Sequence, residues 1–499
     1  MGWDLGVGLN NVFVGNAMTH EARTPNYGTG DVLHPTTTSM NVSTTNTDVI
    51  TSTTFSGKAD NFWTGARLHA GIGESWAWQV ATVASSTGNS ITVDPATKIT
   101  WWFDGNGTGY LYGPLSLLDA DNEWHVQNNG VAPHTLHLRI TGQADPTGSL
   151  VEMRRRTYTV DFAGRSNITV RGLNLRCGDV QMNGSANVLE QCDGRYLSHF
   201  LTYLNGSTKK GGVILSGTGN TLRYCTLYDT AGCGAVVSGT GHTITRNHIH
   251  HTDYSATYSN AVAMSGSGHT VTFNTAHHSG RDILTPSGTG HFIAYNDLSE
   301  PGQMCKDLGV LYTWGSNGQG ATGGPTRIAY NWCHDNALGG ASPLIYLDNW
   351  CRNYVVDHNV CWAATGDSGI RLNGPRDGHD IYHNTLFNCD DIGTHTYSIA
   401  VSDPGNPDPA FWNSSGSYSV DLRNNLFLST TPDTQLISSG TRDFRPKSGA
   451  AAIDSATLIA GYNDTFTGSA PDKGAYETGQ PYWMPGVDGW SIDESGIRS

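Results

Sequence analysis

The sequence predicts an all-β protein whose main body is a parallel β-helix, a solenoid in which every coil adds one strand to each of several sheets. A short strand motif ending in Asn recurs between residues 158 and 430 at irregular spacing, and helical periodicity is nearly absent. The composition agrees, because the 499 residues include 62 Gly and only 14% charged residues, which is typical of strands joined by many turns.

The recurring motif has the pattern polar-apolar-polar-apolar-polar-Asn. Six copies end in Asn, two earlier copies end in Cys and one in Gly, and a later copy ends in Asn: Gly172, Cys192, Cys225, Asn247, Asn274, Asn296, Asn331, Asn359, Asn384 and Asn424. A constant strand with elastic spacing suits a parallel β-helix, because strands stack coil on coil while the turns are free to lengthen. We expect the Asn side chains either to form a hydrogen-bonded ladder or to act as simple turn formers.

These patterns divide the chain into four segments. Residues 1–33 contain a short strand that we expect to join the β-helix, and the Thr-rich residues 34–150 predict a small all-β inserted domain. Residues 151–430 form the β-helix and its groove. Residues 431–499 leave the repeat, and we expect them to cap the open end, since an uncapped coil exposes strand edges and core.

Charge and hydropathy exclude several partners. The formal net charge is −15, so a nucleic acid or an anionic membrane is not expected, because both need a basic surface. No apolar run approaches the ~20 residues of a membrane span, and residues 1–4 begin no signal peptide. The sequence does not indicate an oligomeric state.

The nine cysteines do not indicate a structural zinc site, because no CxxC pair occurs. We expect Cys192 and Cys225 to point inward as buried free thiols. Disulfides between Cys351 and Cys361, or between Cys225 and Cys233, remain possible.

One stretch, residues 306–361, contains two strand-like runs that each hold a tyrosine and an aspartate. The first run reaches Tyr312 and follows Asp307, and the second reaches Tyr346 and precedes Asp348. Two neighbouring coils therefore carry a candidate carboxylate pair, although an Asp before Gly or Asn is also a common turn residue.

Four segments of the chain resemble secreted bacterial right-handed parallel β-helix proteins of carbohydrate metabolism, most closely the group around glycoside hydrolase family 141, which acts as α-L-fucosidase or xylanase. These segments span nearly the whole chain: residues 10–14 with 21–26, residues 307–315, residues 345–349, and residues 452–454 with 472–477. Proteins of this group usually have further coils before the first segment, so the chain looks shortened at its N-terminus.

The resemblance implies a right-handed β-helix and a glycoside hydrolase acting on a plant or algal polysaccharide or oligosaccharide. It assigns the catalytic carboxylates to Asp307 and Asp348. The implied hydrolase needs no cofactor, and the resemblance also implies a secreted or periplasmic location. Glycosidic cleavage uses one carboxyl group to protonate the leaving oxygen and another to attack or to activate water.

The register of the two aspartates poses a geometric problem. If Tyr312 stacks on Tyr346, Asp307 and Asp348 are offset by seven residues, or roughly 20 Å along a straight strand. Either the chain bends at Gly309, or the tyrosines do not stack, or another acid completes the pair. The substitute acids are Asp253, Asp282, Glu300 and Asp335.

Side chains suited to holding sugar hydroxyls and rings surround this stretch in the sequence. The candidates for substrate binding are His250, His251, Arg281, Trp314, Asn349 and Trp350. His248 and His250 share one strand face without an obvious third ligand, so no metal site is expected, although a structural calcium ion is possible.

Two other functions remain open. A polysaccharide lyase acting on a uronate polymer needs a cation and a base, which Lys306, Arg281 and His251 could supply. A non-catalytic β-helix that binds glycans or serves as an adhesin would use the aspartates only as turn residues.

Overall fold

The computed structural model describes residues 11–487 except 29–30, 44, 99–103, 132, 144, 146–147, 199–210, 321–323, 337–341, 374–377, 390–398, 402–419 and 429–430. Within these ranges the chain forms strands and five short 3₁₀ turns, and no α-helix. The 3₁₀ turns are Thr53–Phe55, Leu115–Leu117, Thr141–Gln143, Pro432–Thr434 and Ser439–Thr441. No helix in the described part is long and apolar enough to cross a membrane.

In the part of the chain that the structure describes, three parallel sheets of ten strands each form the β-helix that the repeat predicts. Sheet I contains Tyr158–Asp161, Asp179–Met182, Gly211–Leu215, Cys233–Val237, Asn260–Met264, Asp282–Pro286, Leu311–Thr313, Ile345–Leu347, Ile370–Leu372 and Ile399–Val401. Sheet II contains Thr169–Arg171, Val188–Glu190, Thr221–Arg223, Thr243–Thr245, Thr270–Thr272, Phe292–Ala294, Thr326–Ala329, Tyr354–Asp357, His379–Tyr382 and Val420–Arg423. Sheet III contains Asn174–Arg176, Asp193–Arg195, Thr226–Tyr228, His248–Thr252, Thr275–Ser279, Asp297–Ser299, Trp332–His334, Val360–Ala364, Thr385–Cys389 and Leu426–Leu428.

One elongated apolar core fills the space between the three sheets. Most of the described strands contribute an inward Val, Ile, Leu or Cys, and stacking repeats the same position from coil to coil. Cys192 and Cys225 lie in this core, as expected, and all nine cysteines are free thiols.

The Asn residues form a ladder at the corner between sheets II and III. The side-chain oxygen of Asn359, for example, accepts hydrogen bonds from the backbone and side-chain nitrogens of Asn331, at 3.0 and 2.9 Å. The last rung is Asn425, which receives both bonds from Asn384, so the assignment of Asn424 is wrong by one residue. Gly172 is also one residue early, because its left-handed φ of 70° matches the residue that precedes each rung.

The N-terminal part forms an antiparallel β-barrel. Its strands are Arg23–Thr24, Thr38–Val42, Val49–Thr51, Arg67–Ile72, Gln79–Thr87, Ser90–Val93 and Gly105–Tyr112. The barrel closes because Gly105–Tyr112 pairs with both Thr38–Val42 and Arg67–Ile72. Gly107 permits this close approach, since a Cβ there would lie 2.1 Å from the carbonyl oxygen of Gly71.

Two three-stranded sheets connect the barrel to the β-helix. One contains Ala17–Met18, Val12–Val14 and Val151–Met153, and the other contains His20–Glu21, Glu123–Gln127 and Thr135–Arg139. Val12–Val14 therefore pairs with Val151–Met153 instead of extending a parallel sheet, and Phe13 packs on Cys177 and Tyr196 of the β-helix. The predicted N-terminal strand covers residues 9–14, of which residues 9 and 10 lie outside the described residues.

The C-terminal tail lies along the side of the β-helix. Its hairpin, Leu436–Ser438 with Asp443–Pro446, and Tyr476 pack on the outer face of sheet III at Trp332 and Phe387. Further on, the nitrogen of Gly486 donates to the carbonyl oxygen of Tyr295. In its described part the tail thus covers outward aromatic rings, whereas we expected it to cover the open end.

Candidate active site

A cavity of about 540 Å³ opens on the outer face of sheet I. It brings together five of the predicted site residues and five residues that were not predicted to belong to the site: Arg281, Asp307, Trp314, Asp348 and Asn349, with Trp76, Tyr258, Thr285, Ser287 and Tyr312. Both members of the predicted carboxylate pair therefore line one cavity.

The two tyrosines stack in register, and the aspartates nevertheless line the same cavity. Tyr312 pairs with Tyr346 in the parallel ladder, with ring centroids 5.4 Å apart. The strand begins only at Leu311, however, so Asp307 lies in a segment before the strand and not in the strand itself. Asp307 has a left-handed φ of 53°, and the chain turns at this residue. Gly309 also permits close packing at this point, since a Cβ there would lie 2.8 Å from the carbonyl oxygen of Leu311 and 3.2 Å from the Cβ of Tyr346.

Asp348 is fixed by three hydrogen-bond donors. Its carboxylate accepts bonds from the Tyr312 hydroxyl at 3.0 Å, the Asn373 side-chain amide at 2.8 Å and the backbone nitrogen of Asn349 at 2.7 Å. The residue is 5% exposed. Because all three groups donate, the arrangement suits a carboxylate, which only accepts hydrogen bonds, and it holds both oxygens in place.

Asp307 has a very different environment. Burial, followed by the nearby charge of Asp348, raises the pKa of Asp307 to about 6, although Arg281 acts in the opposite direction. The carboxyl group therefore keeps its proton at mildly acidic pH. The two carboxyl groups of the cavity thus have contrasting surroundings: Asp348 is held by hydrogen-bond donors, whereas Asp307 is buried beside a like charge.

Arg281 supports the cavity from behind. It is 1% exposed, and its guanidinium donates to the carbonyl oxygens of Trp76 and Asp307, both at 2.8 Å, and to the carboxylate of Asp282. The rings of Tyr258 and Tyr312 lie 4.4 and 4.7 Å from its central carbon. These contacts commit Arg281 to holding the walls of the site together.

Two tryptophans mark the mouth of the cavity. Trp314 is 56% exposed and lines the opening, whereas Trp350 packs edge-on against Trp314 at 5.2 Å and does not line it. Asn349 lines the cavity and accepts a bond from the Asn373 amide at 3.3 Å. An exposed ring beside amide and hydroxyl groups is a surface on which a sugar can stack and form hydrogen bonds.

His250 and His251 do not line the cavity. His250 belongs to a strand of sheet III, where its ring stacks on His277 at 5.2 Å, and the ring of His251 stacks on His278 at 4.9 Å. Burial and the neighbouring His248 lower the pKa of His250 to about 3. These imidazoles form a separate cluster.

None of the four substitute acids lines the cavity either. Asp253 is fully buried, with its pKa raised by burial, and bonds to Thr257. Asp282 forms the buried ion pair with Arg281. Glu300 and Asp335 lie at the edge of sheet III, where they contact His278 and His334.

The sequence did not identify two of the residues that form the site, one on a neighbouring coil and one in the barrel. Asn373 follows Leu372 as Asp348 follows Leu347, and these strands are paired, so the repeat register could have located it. Trp76 comes from the inserted barrel, and no local pattern links it to a coil more than 200 residues later.

A family model described as "Right handed beta helix region" matches residues 211–427. Among solved structures, a protein named glycoside hydrolase is 12% identical over 78% of this chain and 76% of its own, with a TM-score of 0.50. The pectate lyase Pel9A is 14% identical over 64% of this chain and 96% of its own, with a TM-score of 0.42. The catalytic unit of a thermostable GH87 α-1,3-glucanase from Streptomyces thermodiastaticus is 11% identical over 81% of this chain and 96% of its own, with a TM-score of 0.31.

No curated protein sequence gives a significant match. At 12% identity, the similarity to the protein named glycoside hydrolase shows a shared fold. This agrees with the three parallel sheets and with the family match to the central coils. The chain is a right-handed parallel β-helix protein with an N-terminal β-barrel.

Proposed function

We propose that the chain is a glycoside hydrolase in which Asp307 is the general acid and Asp348 is the carboxylate that attacks the sugar or activates water. The observation that carries this proposal is the convergence of two carboxyl groups, from neighbouring coils, on one cavity in contrasting environments. Paired carboxyl groups of this kind perform glycosidic cleavage without a cofactor.

In the proposed reaction the protonated Asp307 donates its proton to the glycosidic oxygen as the bond to the anomeric carbon breaks. The Asp348 carboxylate either forms a bond to that carbon or removes a proton from the attacking water. The donors from Tyr312 and Asn373 keep Asp348 aimed at the cavity, so its orientation does not have to be established during the reaction.

The environment of Asp307 also argues against a pure turn role. An aspartate that only closes a turn lies at the surface, where its carboxylate is solvated. Asp307 instead lines a cavity, and burial and Asp348 raise its pKa. A strongly perturbed acid in a cleft is a pattern of functional sites.

The groups that a lyase would need are not gathered in the cavity. Arg281 is occupied by Asp282 and two carbonyl groups, Lys306 does not line the cavity, and His251 lies in the sheet III cluster. The acid pair therefore favours hydrolysis over elimination. By the resemblance of its motifs, we propose a plant or algal polysaccharide or oligosaccharide as substrate and a secreted or periplasmic location.

The proposal is tested by incubating the protein with aryl glycosides and a polysaccharide panel that includes uronate polymers. We expect new reducing ends without the ultraviolet absorbance of unsaturated uronate. Unsaturated products would instead indicate a lyase, and binding without products would indicate a glycan-binding β-helix.

A further inference from the structure

A cluster of imidazoles lies at the corner where sheet III ends and the chain turns towards sheet I. His277 is in the strand Thr275–Ser279, and His278 follows it with a left-handed φ of 53°. Consecutive strand residues normally point to opposite faces. The left-handed residue instead brings the two side chains together, with their Nδ1 atoms 2.7 Å apart.

Glu300 reaches the same point from the next coil. The strand Asp297–Ser299 pairs in register with Thr275–Ser279, and Glu300 takes the position of His278, with a φ of 56°. Its Oε2 atom lies 2.8 Å from Nδ1 of His278. One potential ligand atom from each of His277, His278 and Glu300 lies within 4.8 Å of the others.

Hydrogen bonding alone leaves this arrangement short of protons. If Nδ1 of His278 donates to Glu300, Nδ1 of His277 must accept from the same hydrogen, because a neutral imidazole carries only one. Two imidazole nitrogens and a carboxylate oxygen thus converge on a single proton. A divalent cation would give each of these three atoms a partner at the same time.

The donor set and the spacing suit a transition-metal ion. Zn²⁺ binds imidazole nitrogen and carboxylate oxygen at about 2.0–2.2 Å, so two ligand atoms at a tetrahedral angle are about 3.3 Å apart. The two short separations would have to open by about half an ångström, which side-chain rotation permits. Nε2 of His277 lies 2.9 Å from Nε2 of His248, and this contact can hold the ring in the orientation that leaves Nδ1 free for a metal.

We propose that His277, His278 and Glu300 bind one divalent transition-metal ion that joins two neighbouring coils. This departs from the expectation that the chain has no metal site. That expectation considered only His248 and His250, whereas the proposed ligands are the next histidine pair and an acid one coil further on. Both segments that leave this corner lead to the cavity, at Arg281 and Asp307, so the ion stabilises the coils on which the cavity is built.

The test measures Zn²⁺ binding to the full chain after treatment with a chelator. Isothermal titration with Zn²⁺ alone is expected to show one site per chain, and Zn²⁺ is expected to raise Tm. His278→Ala and Glu300→Gln should each weaken binding at least about tenfold and abolish the rise in Tm. Glu300→Gln keeps the side-chain shape, so it remains informative if His278→Ala folds poorly.

His137→Asn is the matched control. His137 lies in the strand Thr135–Arg139 outside the β-helix and contacts the side chain of Gln127, so its loss should change neither affinity nor the Tm response. The absence of a site in the wild type, or equal affinity in wild type and both variants, would overturn the proposal. Binding at His278 and Glu300 without a rise in Tm would overturn the stabilising role.

Discussion

Asp307 lies in an unfavourable place for a carboxylate. It adopts a left-handed φ of 53°, and burial together with the Asp348 charge raises its pKa to about 6. Arg281, whose charge acts on the Asp307 carboxyl group, donates to the backbone carbonyl of Asp307 and forms its ion pair with Asp282. A residue that costs stability in this way is typical of a site selected for chemistry.

Asp307→Asn should therefore raise the stability of the protein at neutral pH. The pKa in the folded state, about 6, lies above that of an unfolded Asp, so the wild type loses stability as pH rises from about 4 to about 6 and stays lower above that range. The uncharged Asn avoids this loss, and we expect a gain of about 1–2 kcal/mol at pH 7 that vanishes near pH 4. Urea unfolding at both pH values measures it.

Asp335→Asn is the control for this prediction. Asp335 also has a left-handed φ, of 52°, but its hydrogen bond to His334 lowers its pKa, so the same substitution should reduce stability at pH 7. An Asp307→Asn variant that is less stable than the wild type at pH 7 would contradict the environment described for Asp307.

At the residue scale, the sequence motifs located the two aspartates in the chain but did not predict their relative positions in space. Asp348 directly follows its strand, so the repeat fixes its position. Asp307 precedes its strand by four residues, and the path of that segment depends on contacts with the barrel, such as the bond from the Lys306 nitrogen to the carbonyl oxygen of Ser75. A turn determined by such distant contacts has no signature in the local sequence.

Among the elements, the Asn ladder ties the coils together. The side chain of Asn331 donates to the carbonyl oxygens of Ile293 and Ala329 and to Asn359, and its oxygen accepts two bonds from Asn296. The Asn331 amide therefore joins three coils inside the molecule, where water cannot replace a lost partner.

Asn331→Ala should reduce the free energy of unfolding by at least about 3 kcal/mol, because it leaves several buried polar groups without a partner. Differential scanning calorimetry should show a lower Tm. The control, Asn89→Ala, alters an exposed turn of the barrel and should change stability by less than about 0.5 kcal/mol. Equal effects of the two substitutions would mean that the ladder residues act only as turn formers.

The sequence predicted the sheets more accurately than the ends of the repeat. In the central coils the strand motif and Asn recur together, so the register is unambiguous. Two adjacent Asn residues, Asn424 and Asn425, end the last copy, and only the hydrogen bonds from Asn384 distinguish them. The tail has no repeat, and its course along sheet III follows from the aromatic rings that it covers.

Across the whole molecule, the barrel completes the cavity on the β-helix. Trp78 and Tyr110 pack against Tyr254 and Met304, and the Trp78 indole donates to the carbonyl oxygen of Met304 at 3.0 Å. Arg281 makes the connection polar as well, because it reaches both Trp76 of the barrel and Asp307. The candidate site thus depends on segments that are far apart in the sequence.

Arg281→Met should lower the free energy of unfolding by about 3–5 kcal/mol, since it leaves the buried Asp282 carboxylate without its cation. Adding Asp282→Asn removes the unpaired charge, so the double variant should be less destabilised than the sum of the single variants. Urea unfolding of the four proteins measures this coupling. Simple additivity would mean that the two residues do not act as a pair.

The central claim, that Asp307 and Asp348 together cleave a glycosidic bond, is tested most directly by kcat/KM of Asp307→Asn and Asp348→Asn on two substrates. One is a polysaccharide of the panel that the wild-type protein cleaves. The other is an aryl glycoside whose leaving group needs no proton. We expect Asp348→Asn to lose about 10²-fold or more on both, and Asp307→Asn to lose that much on the polysaccharide but far less on the aryl glycoside. Wild-type activity of either variant on the polysaccharide would contradict the account.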